Sequence, residues 1–268
     1  LYADYLQTQG VAPSHIIKVD LENITNDHLR EPLTLIEYIN QQITDSKEYY
    51  VLIDEVQHLQ RFEDALNTLL KNSQLDVYVT GSNARFLSKD VVTTFRGRGD
   101  EVRVHPLSFA EYLSVQQPLP FAEQHLNEYM RLGGLPQLVV MNSEQQKRQY
   151  LSQLFANTYL VDIKERYAIR NDDDLEELID VIASSIGSLT NPTKIANSFA
   201  SVKQSQLSKD TIKRYLDYMQ DAFMIEKAVR YDIKGRKYID TPAKYYFEDL
   251  GVRNARINFR QTEPTHLM

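Results

Sequence analysis

Two adjacent carboxylates, Asp54 and Glu55, follow the apolar stretch of the run Tyr49-Tyr50-Val51-Leu52-Ile53-Asp54-Glu55-Val56-Gln57. Acids that emerge at the carboxyl end of a parallel strand stand where open α/β sheets bind their ligands. In that position a first acid can hold a divalent cation and a second can polarise an attacking water, which is the chemistry of nucleotide hydrolysis. Taken alone, the run reads equally well as a strand that ends in two solvated acids.

The elements around the pair have to position it. Val51, Leu52 and Ile53 form a continuous apolar run, as expected of a central parallel strand covered on both faces. A second short strand, Leu75-Asp76-Val77-Tyr78-Val79, leads into the small polar residues Thr80-Gly81-Ser82-Asn83. Between the two, Phe62, Leu66, Leu69 and Leu70 recur at helical spacing. Upstream, His15-Ile16-Ile17-Lys18-Val19-Asp20 predicts another strand, and Leu33, Ile36, Ile39 and Ile43 predict the inward stripe of the helix after it. Alternating strands and helices imply a parallel sheet with right-handed crossovers, which places Asp54, Glu55 and the Thr80–Asn83 group along one sheet edge.

The ordered set of motifs resembles prokaryotic AAA-type ATPases that carry a C-terminal DUF4143 region. The resemblance rests on Leu52-Ile53-Asp54-Glu55-Val56-Gln57, Val79-Thr80-Gly81-Ser82-Asn83, Phe95-Arg96-Gly97-Arg98-Gly99-Asp100 and Pro106-Leu107-Ser108-Phe109-Ala110-Glu111-Tyr112. Leu132-Gly133-Gly134-Leu135-Pro136 and Lys244-Tyr245-Tyr246-Phe247-Glu248-Asp249-Leu250-Gly251-Val252-Arg253-Asn254 extend it over nearly the whole chain. It implies an α/β fold, a parallel-sheet P-loop NTPase-like domain followed by a helical region and a winged-helix-like module. It implies ATP and Mg²⁺ as cofactors, with Asp54 as the Walker B metal ligand and Glu55 as the catalytic base. Thr80, Ser82 and Asn83 together cover the sensor position. An arginine that completes a neighbouring subunit's site is expected at Arg98 ahead of Arg96, the other reading being a loop arginine paired with Asp100 or Glu101.

The departure from that family is the phosphate cradle. A P-loop needs Gly-x-x-x-x-Gly-Lys-Ser/Thr, whose backbone N–H groups and lysine hold the phosphates. No such string occurs in these 268 residues. The chain opens at Leu1-Tyr2-Ala3-Asp4-Tyr5-Leu6, which resembles the tail of the helix after a P-loop, so the domain is expected to be incomplete rather than degenerate. The chain by itself is accordingly expected to bind ATP weakly or not at all. The rival expectation is a non-hydrolysing regulatory module, binding DNA or protein, on a degenerate ATPase scaffold.

Composition narrows the classes. With 42% apolar residues there is material for a core, and with no cysteine there are neither disulfides nor Cys-ligated metals, which fits a cytoplasmic protein. No apolar run reaches the length of a membrane span, so no membrane partner is expected. The formal charge is −7, yet residues 185–245 carry a surplus of five positive charges, while the remainder is acidic. That asymmetry suggests two modules with different partners, the alternative being an ordinary solvated surface.

The expected organisation is an ATPase-like core over residues 1–115, a helical linker or lid over 116–184, a winged-helix-like module over 185–247, and the start of a further region over 248–268. The break Gln116-Gln117-Pro118-Leu119-Pro120 marks the first boundary. Leu151, Leu154, Phe155, Thr158 and Tyr159 make one helical stripe, and Leu175, Leu178, Ile179 and Ile182 another. Asp172, Asp173 and Asp174 read as first-turn acids favoured by the helix dipole rather than as metal ligands. Asn191-Pro192 and Ser208 each predict a helix start. Ile225–Val229 and Lys237–Phe247 are expected to pair as a wing around residues 232–236. Lys209, Lys213 and Arg214 on the second helix, with Lys234, Arg236 and Lys237 on the wing, are the candidates for contacting DNA. The alternative for this module is a protein–protein contact, with a homo-oligomer or a partner protein. Glu248 and Asp249 lack a following Glu-x-Lys element and are expected to take no part in nuclease chemistry.

Overall fold

A computed structural model of the chain describes residues 2–81, 99–115, 122–169, 172–203, 207–229 and 242–260. These residues divide into two compact units, Leu1–Val102 and Arg103–Met268.

The first unit is built on three parallel strands, β1 (Ile16–Asp20), β2 (Tyr49–Asp54) and β3 (Leu75–Val79), in the order β1-β2-β3. The side chains of β2 alternate. Tyr49, Val51 and Ile53 are wholly buried on one face, while Tyr50 and Leu52 pack on the other. Helices α2 (Pro32–Gln42) and α3 (Phe62–Leu69) cover the first face through Leu35, Ile39, Phe62, Ala65, Leu66 and Leu69. Helix α1 (Tyr2–Thr8) covers the second, with Ala3 and Leu6 against Ile16, Tyr50 and Leu52. Each fully buried aliphatic side chain contributes about 1.5–3 kcal/mol of transfer free energy.

The expected stripe of α2 needs one correction. Leu33 is 69% exposed, and Leu35 is the core residue in its place. Successive steps of three residues fall short of a helical turn by roughly 60° each, so Leu33 lies two such steps off the line of Ile39. Leu35, four residues before Ile39, stays on its face.

Among its described residues the second unit is helical, with one small antiparallel pair of strands. In chain order its helices are α4 (Phe109–Ser114), α5 (Ala122–Leu132), α6 (Pro136–Val139), α7 (Glu144–Leu154), α8 (Val161–Arg166), α9 (Asp172–Ser184), α10 (Pro192–Lys203), α11 (Lys209–Asp221) and α12 (Leu250–Arg256). A single π-helical turn, Phe155–Leu160, joins α7 to α8. Strands β4 (Ile225–Ala228) and β5 (Lys244–Phe247) pair antiparallel. Local chemistry sets several starts. Ser108 and Glu111 form a capping box at α4, Asn191 accepts from Lys194 N–H at 2.7 Å, and Ser208 accepts from Thr211 N–H at 3.1 Å. On α9, Leu175, Leu178, Ile179 and Ile182 are buried as one stripe. Asp172 starts that helix and pairs with Lys164 at 2.9 Å.

A polar knot ties the two late glycine-containing motifs together. Asp249 caps α12, accepting from Val252 N–H at 2.9 Å and, from across the unit, Gly134 N–H at 2.7 Å. Gly251 N–H bonds the same carboxylate, and burial pushes this acid up from its ordinary value against the pull of those three donors. Gly133 has φ of 80°. A Cβ on Gly251 would stand 1.9 Å from the Leu132 carbonyl oxygen. Fully buried Arg253 donates from Nε to the Ala183 carbonyl at 2.8 Å and from Nη1 to Asn254 Oδ1 at 2.8 Å. Among the described residues, no helix is long and apolar enough to cross a membrane.

Candidate functional site

The carboxyl ends of β2 and β3 bring three of the predicted site residues together. Asp54 is the last residue of β2, and Thr80 directly follows β3. The Thr80 hydroxyl donates to Asp54 Oδ1 and accepts from the Glu55 N–H at 3.1 Å. Backbone bonds run on from the ladder, Thr80 N–H to the Ile53 carbonyl at 2.9 Å and Val56 N–H to the Thr80 carbonyl at 3.0 Å. The polar ends of the two strands are thereby locked in register.

Glu55 takes a left-handed backbone, φ 53° and ψ 55°, before the short 3₁₀ turn Val56–His58. A glutamate held there costs on the order of 1–3 kcal/mol and persists only where its neighbours over-determine it. Here the neighbours are Thr80, bonded to its N–H, and buried Val56, which anchors the next residue. Asp54 is exposed and Glu55 half-buried, so both carboxylates stand at the surface of the sheet end.

Two further residues at this edge escaped the sequence reading. Asp20 ends β1 and lies in register beside Asp54, so three strand ends present polar groups side by side. The same signal, an apolar strand ending in an acid, was present there. Asp20 Oδ1 is engaged in its own turn, accepting from Glu22 N–H at 3.0 Å and Asn23 N–H at 3.1 Å. Gln57 is the second, and its side-chain amide donates to Glu55 Oε2. No spacing rule singles out such a glutamine.

The donor set suits Mg²⁺ in one respect. Mg²⁺ takes one or two carboxylates and fills its shell with waters and phosphate oxygens. Asp54 offers an exposed hard oxygen of that kind, and among the described residues no group of three or more acids or histidines forms a self-sufficient cage.

The other predicted residues fall elsewhere. Ser82, Asn83, Arg96 and Arg98 lie outside the described residues, as do Lys234, Arg236 and Lys237. In the second unit Lys209, Lys213 and Arg214 are exposed on α11, interleaved with exposed Asp210 and Asp217. Buried Ile212, Leu216 and Met219 form the opposite face of that helix. Glu248 is drawn into an ion-pair group. It bonds Arg103 at 2.9 Å and His105 Nδ1, and Arg103 also lies 3.6 Å from Glu226 and over the Phe223 ring.

Comparison with known proteins agrees with this division. Residues 1–113 match the AAA domain family. Residues 123–263 match the family described as "Domain of unknown function (DUF8612)", where the sequence resemblance had named DUF4143. An "Uncharacterized protein" of Haemophilus influenzae is 35% identical over 260 residues, covering 96% of this chain and 64% of the relative. "Uncharacterized protein MJ1544" of Methanocaldococcus jannaschii is 28% identical over 215 residues, covering 76% of this chain and 47% of the relative. The chain thus spans about two thirds and about half of the lengths of these relatives. With more than half of its residues matched by the DUF8612 model, the chain belongs to the DUF8612 family, and the residues before that match, which include the sheet, are similar to the AAA domain family.

Proposed function

We propose that the chain is part of an ATP-hydrolysing AAA-type protein that couples its nucleotide state to a winged-helix module. The observation that carries this reading is the bond from the Thr80 hydroxyl to the Asp54 carboxylate at the carboxyl ends of adjacent parallel strands, with Glu55 held beside them. In this reading Asp54 would hold Mg²⁺, which when bound neutralises phosphate charge. Glu55 takes the proton of the attacking water on its carboxylate. Thr80 keeps the Asp54 oxygen and the Glu55 backbone in fixed relation, so the two acids need no reorganisation as the reaction proceeds.

Topology supports the same reading. Helices α2 and α3 lie on one face, and each carries the chain one strand over, from β1 to β2 to β3. Helix α1 lies on the opposite face and leads into β1. Crossovers between parallel strands are right-handed in nearly every case. A parallel strand feeding α1 would therefore lie beyond β3, with its carboxyl end beside Thr80 and Asp54. A phosphate-binding loop between that strand and α1 would face the acids.

The winged-helix reading rests on the succession of α10, α11 and the β4–β5 pair, with the first turns of α11 offering Lys209, Lys213 and Arg214 to solvent. Exposed cations on such a helix suit duplex DNA, whose phosphates release counterions on binding. Replacing Lys213 or Arg214 by Ala should then reduce the salt slope of duplex binding by about one each. No duplex binding at low salt would leave the module to a protein partner.

The test of the hydrolytic reading is steady-state turnover of ATP by the full-length protein with and without Mg²⁺. Turnover should require Mg²⁺ and fall at least about a hundredfold in Asp54→Asn. A full-length protein that hydrolyses no ATP would favour the non-hydrolysing scaffold.

A further inference from the structure

We propose that Gln57 is a positioning residue for Glu55, and that Gly81 is small because the Gln57 amide must fit against it. The inference rests on the reading of Glu55 as the hydrolytic base and adds to it the parts that aim that base.

The backbone of Glu55 is held from one side and its carboxylate from another. Thr80 Oγ1 accepts the Glu55 N–H at 3.1 Å, and the His58 N–H bonds the Glu55 carbonyl at 3.0 Å. The side-chain amide of Gln57, two residues along the same turn, donates to Glu55 Oε2. The other end of that amide lies against the residue after Thr80. A Cβ built on Gly81 would stand 3.1 Å from Gln57 Oε1 and 3.8 Å from Val56 Cγ1. The Thr80-Gly81 pair therefore touches both the backbone of Glu55 and the group that orients its carboxylate.

The chemistry of the donor matters as much as its place. An amide N–H commits one carboxylate oxygen without bringing a charge that would compete for the proton. Lysine or arginine in that place would form an ion pair and oppose protonation of the base. Both side chains are half-buried, so water can take the place of the amide on the Glu55 carboxylate and the fold depends little on this one bond. Misplacing a reacting group by an ångström, by contrast, can cost on the order of a hundredfold in rate. The bond thus matters more to the aim of Glu55 than to the fold. Gly81 is not among the left-handed glycines, so an alanine there meets the Gln57 amide without backbone strain.

The experiment compares Gln57→Ala, Gly81→Ala and the double variant with wild type in the full-length protein, measuring kcat and KM for ATP and the thermal midpoint. Each single variant should lower kcat about tenfold or more, with KM within about twofold and an unchanged midpoint. The double variant should lose no more than the worse single one, because both act on one carboxylate. An unchanged kcat in Gln57→Ala, or losses that multiply in the double variant, would overturn the proposal. A fall in kcat accompanied by a lowered midpoint would also overturn it, as a merely structural effect. Glu55→Gln is run alongside. Should it turn over like wild type, the assignment of the base fails. Should it abolish turnover while Gln57→Ala stays fully active, the positioning role alone fails.

Discussion

Two strands of this protein end in a pair of acids, and the pairs have opposite fates. Asp54 is the last residue of β2 with Glu55 next to it, and Glu248-Asp249 directly follows β5. In the first pair Asp54 is exposed, Glu55 sits in a left-handed turn, and the bonds to Thr80 and Gln57 aim the carboxylates. In the second pair Glu248 is tied to Arg103 and His105, while Asp249 is 5% exposed and accepts three backbone N–H groups. A carboxylate whose lone pairs are filled by its own fold is a building part. One held at the rim of a parallel sheet and exposed to solvent keeps an oxygen that a ligand can reach. The local sequence, an apolar strand followed by two acids, does not tell them apart.

The comparison breaks most sharply at the glycines of the buried pair. Gly251→Ala forces a Cβ to 1.9 Å from a carbonyl oxygen and should cost more than about 3 kcal/mol in urea unfolding. Gly81→Ala meets only a side-chain amide and should leave stability nearly unchanged. An equal loss in both would mean that the sheet end is as rigidly packed as the knot.

Next in size are the acids themselves. Asp249→Ala strands three buried N–H donors and should cost about 2–3 kcal/mol, whereas Asp54→Ala should cost less than about 1 kcal/mol. The pH dependence sharpens this. Burial raises the Asp249 carboxyl, so the folded chain keeps that proton at pH values where the unfolded chain has released it. Its contribution to stability is full below the unfolded value and is lost as pH rises through the folded one. The stability advantage of wild type over Asp249→Asn, read from urea midpoints across pH, should therefore be largest in acid and shrink as pH rises. A growing advantage would contradict the assignment.

The smallest effect compares two helix caps. Ser208 caps α11 at the surface with one bond to Thr211 N–H, and Ser208→Ala should cost about 1 kcal/mol by the same unfolding measurement. A loss matching that of Asp249→Ala would show that burial adds nothing to the value of a cap.

What could be read from the sequence was what local physics decides. The apolar run of β2, the α9 stripe of Leu175, Leu178, Ile179 and Ile182, and the caps at Asn191 and Ser208 all depend on neighbours within a few residues. Leu33 is exposed because three-residue steps drift around a helix and carry it off the line of Ile39. The hidden parts depend on contacts between distant segments. Asp249 meets Gly134 across 115 residues of chain, and Thr80 meets Asp54 across 26. The first of these was invisible, while the second could be anticipated because parallel strands joined by helices align their carboxyl ends. Gln57 was hidden for another reason, since an amide aimed at a neighbouring carboxylate carries no signature in spacing.

The proposed function assigns hydrolysis to Asp54-Glu55 and not to its look-alike, Glu248-Asp249. It is tested most directly by kcat for Mg²⁺-dependent ATP turnover in full-length Glu55→Gln and Glu248→Gln, measured side by side. Glu55→Gln should still bind ATP but lose turnover by about a hundredfold or more, while Glu248→Gln should stay within about twofold of wild type. Undiminished turnover in Glu55→Gln would contradict it.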